Sequence, residues 1–203
     1  MNVLILNGSP RKQGNSATLA EHLAGAMENA TVTRRDLYFM QYKGCMGCMA
    51  CRKKRESCIL EDDLTPVLRE MHEADVVIFA TPNYNGGPPG EMKCLIDRCF
   101  SFLRTDHFEM RAVGITQNTS RLPLGKTAVA LFVQGQNEQG MNEFGKESVF
   151  ITLCNKLRSM GFPYVEEFRC CRLNGAKDSL ARTDLLIKAE ALGKELSQRY
   201  AVK

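Results

Sequence analysis

The chain has 203 residues, 44% hydrophobic and 25% charged, with 27 Lys and Arg against 23 Asp and Glu and a formal net charge of +4. That length fits one α/β domain of ordinary size, and the composition excludes a disordered chain. The small, scattered excess of cations excludes the clustered basic face of a nucleic-acid binder, and suits small anions or an acidic protein partner.

In chain order, Val3–Asn7 reads as a short buried strand. Asn15–Glu28 follows as a helix, with Leu19, Leu23, Ala26 and Met27 at helical spacing. Thr31–Leu37 is a second strand, less apolar and so placed towards an edge. Asp63–Ala74 reads as a helix capped by Asp62 or Asp63, with Pro66 in its first turn. Asp75–Ala80 is the clearest central strand. Pro89–Leu103 puts Met92, Leu95, Ile96, Cys99 and Phe102 on one helical face. Thr127–Val133 is a buried strand, Asn142–Met160 a helix, Phe162–Arg169 a strand and Ser179–Tyr200 a closing helix. No apolar run approaches the ~20 residues of a membrane span. No basic segment followed by an apolar stretch opens the chain as a signal peptide would. The expectation is a soluble, cytoplasmic protein without a membrane or nucleic-acid partner.

Strands alternating with helices imply a parallel sheet covered on both faces. Right-handed crossovers leave few topologies. Five such units predict a single domain over 1–203, a flavodoxin-like three-layer sandwich with strand order 2-1-3-4-5. Two segments interrupt the alternation. Gln41–Glu61 carries four cysteines, and Arg104–Gly125 is longer than most connections in compact domains.

The loop Gly8-Ser9-Pro10-Arg11-Lys12-Gln13-Gly14-Asn15-Ser16 joins the first strand to the first helix. It combines tight turns, hydroxyls and a helix N-terminus, whose unpaired N–H groups and dipole favour an anion. Arg11 adds charge and a planar donor fork. The loop lacks the Gly-Lys-Ser/Thr ending of a Walker loop and the Gly-x-Gly-x-x-Gly of a dinucleotide fingerprint. The plainer reading is an ordinary helix cap by Asn15 or Ser16. A second loop, Thr81-Pro82-Asn83-Tyr84-Asn85-Gly86-Gly87, follows the third strand. The first and third strands flank the switch point of such a sheet, where a ligand lies. Backbone N–H groups of this loop can meet the polar edge of a ring, and Tyr84 offers an aromatic face. By composition alone it is a Pro/Gly turn.

Nine cysteines is a high count. Cys94, Cys99, Cys154, Cys170 and Cys171 read as small buried apolar residues. The spacing Cys45-x2-Cys48-x2-Cys51-x6-Cys58 is different. Two-residue gaps aim successive thiolates at one centre, and a fourth close behind completes the ligands of one cubane cluster. Bacterial ferredoxins open similarly, but there Pro follows the fourth cysteine, and here Ile59 does. Zinc sites more often use two separated pairs. Free thiols are the remaining alternative. His22, His72 and His107 are far apart and form no acid–base set, so no catalytic side chain is assigned.

Gly8-Ser9-Pro10-Arg11 with Gly14-Asn15-Ser16, then Thr81-Pro82-x-Tyr84, then Met92-Lys93-x-x-Ile96-Asp97-Arg98, together resemble the NADPH-dependent FMN reductase family over essentially the whole chain. The resemblance implies that Ser9, Arg11, Asn15 and Ser16 hold the phosphate of FMN, and that Pro82, Asn83, Tyr84, Asn85 and Gly86 surround its ring. Asn83 and Gly87 depart from the family's usual residues. The cysteine spacing, with Gly44 before it and Asp62-Asp63 after it, is similar to the iron–sulfur flavoprotein branch, which implies that Cys45, Cys48, Cys51 and Cys58 ligate a 4Fe–4S cluster. Arg52-Lys53-Lys54-Arg55 then supplies cations that favour the reduced cluster and attract an acidic ferredoxin. Taken singly, each of these side chains reads as solvated. The implied function is a redox flavoprotein passing electrons between the cluster and FMN, from a ferredoxin-type donor to a small oxidant. The alternative is an NAD(P)H-dependent FMN reductase acting on quinone, azo or nitro acceptors without a functional cluster. A zinc-binding interaction module leaves both loops unexplained. A homodimer or homotetramer is expected, with Gln41–Glu61 and Arg104–Gly125 at the contacts.

Overall fold

A computed structural model of the chain describes residues 1–53, 57–104, 106, 120–137 and 146–201, of which 146–149 are described as backbone only. Five strands, β1 (Asn2–Asn7), β2 (Thr31–Asp36), β3 (Val76–Pro82), β4 (Thr127–Val133) and β5 (Tyr164–Cys170), form one sheet in the order β2-β1-β3-β4-β5. Every neighbouring pair is parallel. The helices are α1 (Asn15–Gly25), α2 (Leu64–Glu73), α3 (Gly90–Arg98), α4 (Lys146–Met160) and α5 (Thr183–Ala201). This is the expected flavodoxin-like topology.

Successive strand side chains point to opposite faces, and two separate apolar cores follow from that. On one face Leu4, Leu6, Val77, Phe79, Ala128, Ala130 and Phe132 pack under α2, α3 and α4. On the other, Val3, Ile5, Val76, Ile78, Val129, Leu131 and Phe168 pack under α1 and α5. β3 and β4 are buried almost throughout, as strands covered on both faces must be. β2 lies at an edge, as its polar composition predicts.

α3 is shorter than the sequence expectation, for a local reason. α3 stops at Arg98 and tightens into a 3-10 turn over Cys99–Phe102. There the Ser101 hydroxyl donates back to the Arg98 carbonyl at 3.0 Å, competing with the helical ladder. At the start of α2, Asp63 stands at the N-cap without a side-chain bond, and Asp62, the other expected cap, supplies the carboxylate. Asp62 Oδ1 accepts from Leu64 N at 3.1 Å, and Thr65 Oγ1 accepts from Asp62 N at 3.1 Å, a reciprocal cap. The first residues assigned to the helix at 142–160, together with 107–119 of the long connection, His107 among them, lie outside the described residues. Among the described residues, no helix is long and apolar enough to cross a membrane.

Candidate functional site

All five strands run the same way, so the loops after β1, β3 and β4 open on one edge of the sheet. The first begins against the third strand, with Gly8 N donating to Ala80 O at 2.9 Å. A Cβ at Gly8 would stand 3.0 Å from Met92 Cβ in α3, so only glycine passes there without displacing the helix. Asn7, fully buried, accepts from Ser9 N at 3.2 Å and donates to Asp36 at 2.8 Å. Ser9 Oγ accepts from Arg11 N at 3.2 Å, and Gly14 N donates to Arg11 O at 3.1 Å. The chain thus curls over the start of α1. Ser9, Asn15 and Ser16 are buried while the Arg11 side chain is exposed at the rim.

The helix N-terminus inside this curl has no side-chain cap: its N-cap is Gly14, and its first turn holds no acidic residue. Its leading N–H groups lie on the concave side of this curl, an arrangement that suits an anion such as phosphate. The Asn15 carboxamide has another role. It donates to Gly175 O at 2.7 Å and accepts from Ser179 N at 2.9 Å, tying the segment before α5 to the loop. Asn15 therefore brings its backbone N–H to the concavity, with its side chain bonded at both ends.

After β3, Asn83 N donates to Val133 O at 2.7 Å and Asn83 Nδ2 donates to Gln134 Oε1 at 3.1 Å. Asn83 Oδ1 is buried and has no hydrogen-bond partner among the described residues. A buried acceptor left so is costly, and it suits a ligand N–H arriving from the crevice. Tyr84 and Gly87 exchange both backbone hydrogen bonds, at 2.8 and 3.0 Å, across a turn in which Asn85 and Gly86 both have positive φ, 49° and 85°. That is a type I′ turn, and Asn-Gly is the pair that tolerates it. It holds Tyr84 out at 46% exposure. Gln134, at the carboxyl end of β4 and buried, is a site residue that the sequence reading missed. Its signal was its place immediately after the strand, followed by Gly135.

The four motif cysteines form a second centre. Cys45, Cys48, Cys51 and Cys58 line one cavity of about 370 Å³ with Arg98 and Phe100. Gly47 and Met49 have positive φ, 67° and 57°, so the backbone reverses between successive cysteines; Cys45 and Cys48 are exposed, and Cys51 and Cys58 half-buried. Burial first, and then the neighbouring thiols of Cys58, Cys45 and Cys48, push the Cys51 thiol up. Among the described residues, no three His, Cys, Asp or Glu converge closely enough to grip one metal ion. The donor set is four thiols around a cavity, which fits a cubane of several atoms better than a single zinc ion held at about 2.3 Å by each sulfur. Arg52 departs from its reading as a solvated cation. It is 8% exposed, donates to the Arg104 carbonyl and lies 5.6 Å from the Phe100 ring centre. Lys53 is exposed, and Lys54 and Arg55 lie outside the described residues. Of the remaining cysteines, Cys99, Cys154 and Cys170 are buried as expected, whereas Cys94 and Cys171 are half-buried.

The cysteine segment is anchored by Asp62 and Arg98. Arg98 Nη1 donates to Asp62 Oδ2 at 2.8 Å and to Lys43 O at 3.0 Å, and Nη2 donates to Leu60 O at 3.2 Å. Burial, the largest single influence, opposes the Asp62 charge, but the Arg98 hydrogen bond and charge together with the backbone N–H groups of Lys43 and Leu64 outweigh it and hold the carboxyl below its usual range. A carboxylate depressed on folding contributes stability that is complete above its unfolded value of about 3.9 and is lost as pH falls through the lower folded value. Amide hydrogen exchange over 43–60 should therefore stay protected at pH 5 and lose protection as pH falls below about 4. The Asp62→Asn protein should show no such step.

The chain has recognisable relatives. Residues 1–154 match the NADPH-dependent FMN reductase family. An iron–sulfur flavoprotein of Methanocaldococcus jannaschii is 36% identical over 109 residues, 51% of this chain and 52% of that protein. One of Archaeoglobus fulgidus is 38% identical over 100 residues, 48% of each. The chain thus matches about half the length of these curated relatives. Among solved structures, an NAD(P)H:quinone oxidoreductase from Methanothermobacter marburgensis superposes with a TM-score of 0.75 at 21% identity, covering 97% of this chain and 96% of that one. An FMN-dependent NADH-azoreductase from Bacillus anthracis, in complex with FMN, gives 0.69 at 13% identity over 97% and 100%. At such identities these two show the fold alone.

Proposed function

The chain belongs to the NADPH-dependent FMN reductase family, and from that premise we propose that it is a redox flavoprotein with FMN at the strand-end loops and a 4Fe–4S cluster in the cysteine cavity. The observation that carries the reading is the joint presence of an uncapped helix start under the β1 loop and four thiols around one cavity. FMN supplies one- and two-electron chemistry and the cluster one-electron chemistry, so one chain can join a single-electron donor to a two-electron acceptor.

The residues have separable tasks in this reading. Ser9 already accepts a backbone hydrogen bond through Oγ, which leaves its O–H to donate to a phosphate oxygen. The α1 N–H groups and Arg11 supply the remaining donors and the charge. Asn83 Oδ1 accepts from the ring's polar edge, and Tyr84 and the Asn85-Gly86 turn bound the ring from outside. α3 leaves the ring loop at Gly90 and reaches the cysteine cavity at Arg98, so the centres are separated by one helix of about 12 Å. Cys45, Cys48, Cys51 and Cys58 ligate the cluster, and Lys53 belongs to the face an acidic ferredoxin would meet. The exposed Met46, Met49 and Ile59 around the cysteines, with Tyr38 and Phe39, suit burial in a homodimer or homotetramer.

The second reading, an NAD(P)H-dependent FMN reductase without a cluster, is favoured by the exposure of Cys45 and Cys48 and by the hydride donors in the names of the two solved relatives. Both readings require the mononucleotide. Flavin extracted after anaerobic purification should chromatograph as FMN; FAD, or failure to take up any flavin, would overturn both.

A further inference from the structure

Arg98 belongs to a motif carried by the resemblance, yet neither flavin binding nor thiol ligation explains it. It is 1% exposed, at the end of α3, and it lines the cysteine cavity. A buried guanidinium is costly unless its N–H groups are paired. Nη1 and Nη2 are paired, and their acceptors bracket the cysteine segment: the Lys43 carbonyl lies just before Cys45, the Leu60 carbonyl just after Cys58, and both Asp62 oxygens complete the fork at 2.8 and 3.2 Å. Nε is buried and has no hydrogen-bond partner among the described residues. Cys58 and Arg98 line the same cavity; burial disfavours the Arg98 cation, while Asp62 first and then Cys58 support it. One planar group thus closes the segment at both ends and keeps a donor in reserve beside a thiol that faces the cavity.

Resting on the cluster reading above, we propose that Arg98 is the positioning residue of the cysteine cavity, tying Lys43 to Leu60 through its Nη groups and donating Nε–H to the Cys58 sulfur when that sulfur is a cluster-bound thiolate. Two consequences follow. Preorganised thiols keep their cluster longer, since partners behind metal ligands orient them. A hydrogen bond to a ligating sulfur also disperses negative charge and favours the reduced cluster, raising its potential. Asp62 acts in the opposite direction, because its carboxylate offsets much of the guanidinium charge. The two members of one ion pair therefore shift the potential with opposite signs. A role in folding alone predicts no such sign reversal.

The test is a redox titration of the anaerobically purified full-length chain, followed by electron paramagnetic resonance of the reduced cluster, with iron counted before and after a chelator challenge. Arg98→Gln should lose iron to chelator about 10–100-fold faster than the parent, the range for losing such a partner, and its remaining cluster should titrate at lower potential. Arg98→Lys, which keeps the charge but not the fork, should show a smaller downward shift and partial retention of iron. Asp62→Asn should shift the potential upward. If Arg98→Gln does not fold, the Lys and Asn variants carry the same opposed signs. Unchanged potentials, or shifts of one sign in all variants, would overturn the role of Arg98 while leaving the cluster in place. A parent chain that takes up FMN but no iron would overturn the cluster reading and this inference together.

Discussion

Changing Cys45, Cys48, Cys51 or Cys58 to Ser should abolish the cluster and leave FMN bound. Loss of an outer partner of a metal site already costs about 10–100-fold in metal affinity. Loss of a ligating thiolate should exceed that, and a serine hydroxyl is no replacement for the soft thiolate an iron–sulfur centre requires. FMN should persist because its loops meet α3 at its other end and none of their residues lines the cysteine cavity. Cys99→Ser or Cys154→Ser is the matched control. Both thiols are buried in the core under the helices and neither lines the cavity, so iron content should match the parent. Function should divide along the same line. Reduction of FMN by a one-electron donor should fall with the cluster, and direct reduction by NAD(P)H, if the chain has it, should survive. Rapid mixing of each variant with reduced ferredoxin or NADPH, following flavin bleaching, measures both. A Cys45→Ser protein that takes electrons from ferredoxin as fast as the parent would remove the cluster from the path and favour the hydride-transfer reading.

The second large effect belongs to the phosphate loop. Ser9→Ala with Arg11→Ala should weaken FMN binding about 100-fold or more, since each charge-assisted hydrogen bond contributes roughly 1.5–3 kcal/mol and a tenfold change corresponds to about 1.4 kcal/mol. Ser9 Oγ accepts from the Arg11 backbone N, a bond that Arg11→Ala keeps and Ser9→Ala removes, so the two single variants delete different contacts. The thiols and their cavity should be unaffected, and iron content should be retained. Fluorescence titration of apoprotein with FMN and with riboflavin separates the phosphate contribution. The variant should lose most of the preference for FMN over riboflavin while binding riboflavin as the parent does. Equal loss for both ligands would mean that the loop collapses rather than loses phosphate contacts.

The parts of this architecture that depend on local periodicity were legible in the sequence. The strand order followed from counting βα units, and the edge position of β2 from Thr31, Thr33, Arg34 and Arg35 in place of an unbroken apolar run. The cysteine cavity was legible for the same reason, because two-residue gaps with Gly47 between the first pair dictate reversing turns. What was not legible depends on long-range partners. The bonds that fix Arg98 reach back 36 and 38 positions, to Asp62 and Leu60, and no local pattern announces them. The resemblance assigns Asn15 to the phosphate, and only the fold shows that its carboxamide pairs with Gly175 and Ser179, more than 150 positions away. Gln134 becomes visible only when parallel packing of β3 against β4 places it beside Asn83. Arg52 reads as a surface cation in Arg52-Lys53-Lys54-Arg55, and only the fold shows it buried with its guanidinium over the Phe100 ring. Sequence pattern thus identifies which chemistry is present, and tertiary contacts decide which side chains remain available for it.

The central claim is that this chain holds both redox groups at once. The most direct measurement is the ratio of iron, acid-labile sulfide and FMN in the anaerobically purified full-length protein, read alongside its absorption spectrum before and after dithionite. The account predicts iron and sulfide in equal amounts, about four of each per FMN as one cubane demands, with a broad iron–sulfur absorbance beneath the flavin bands that bleaches on reduction. A protein reconstituted under reducing conditions with iron and sulfide that binds FMN but no iron would contradict it.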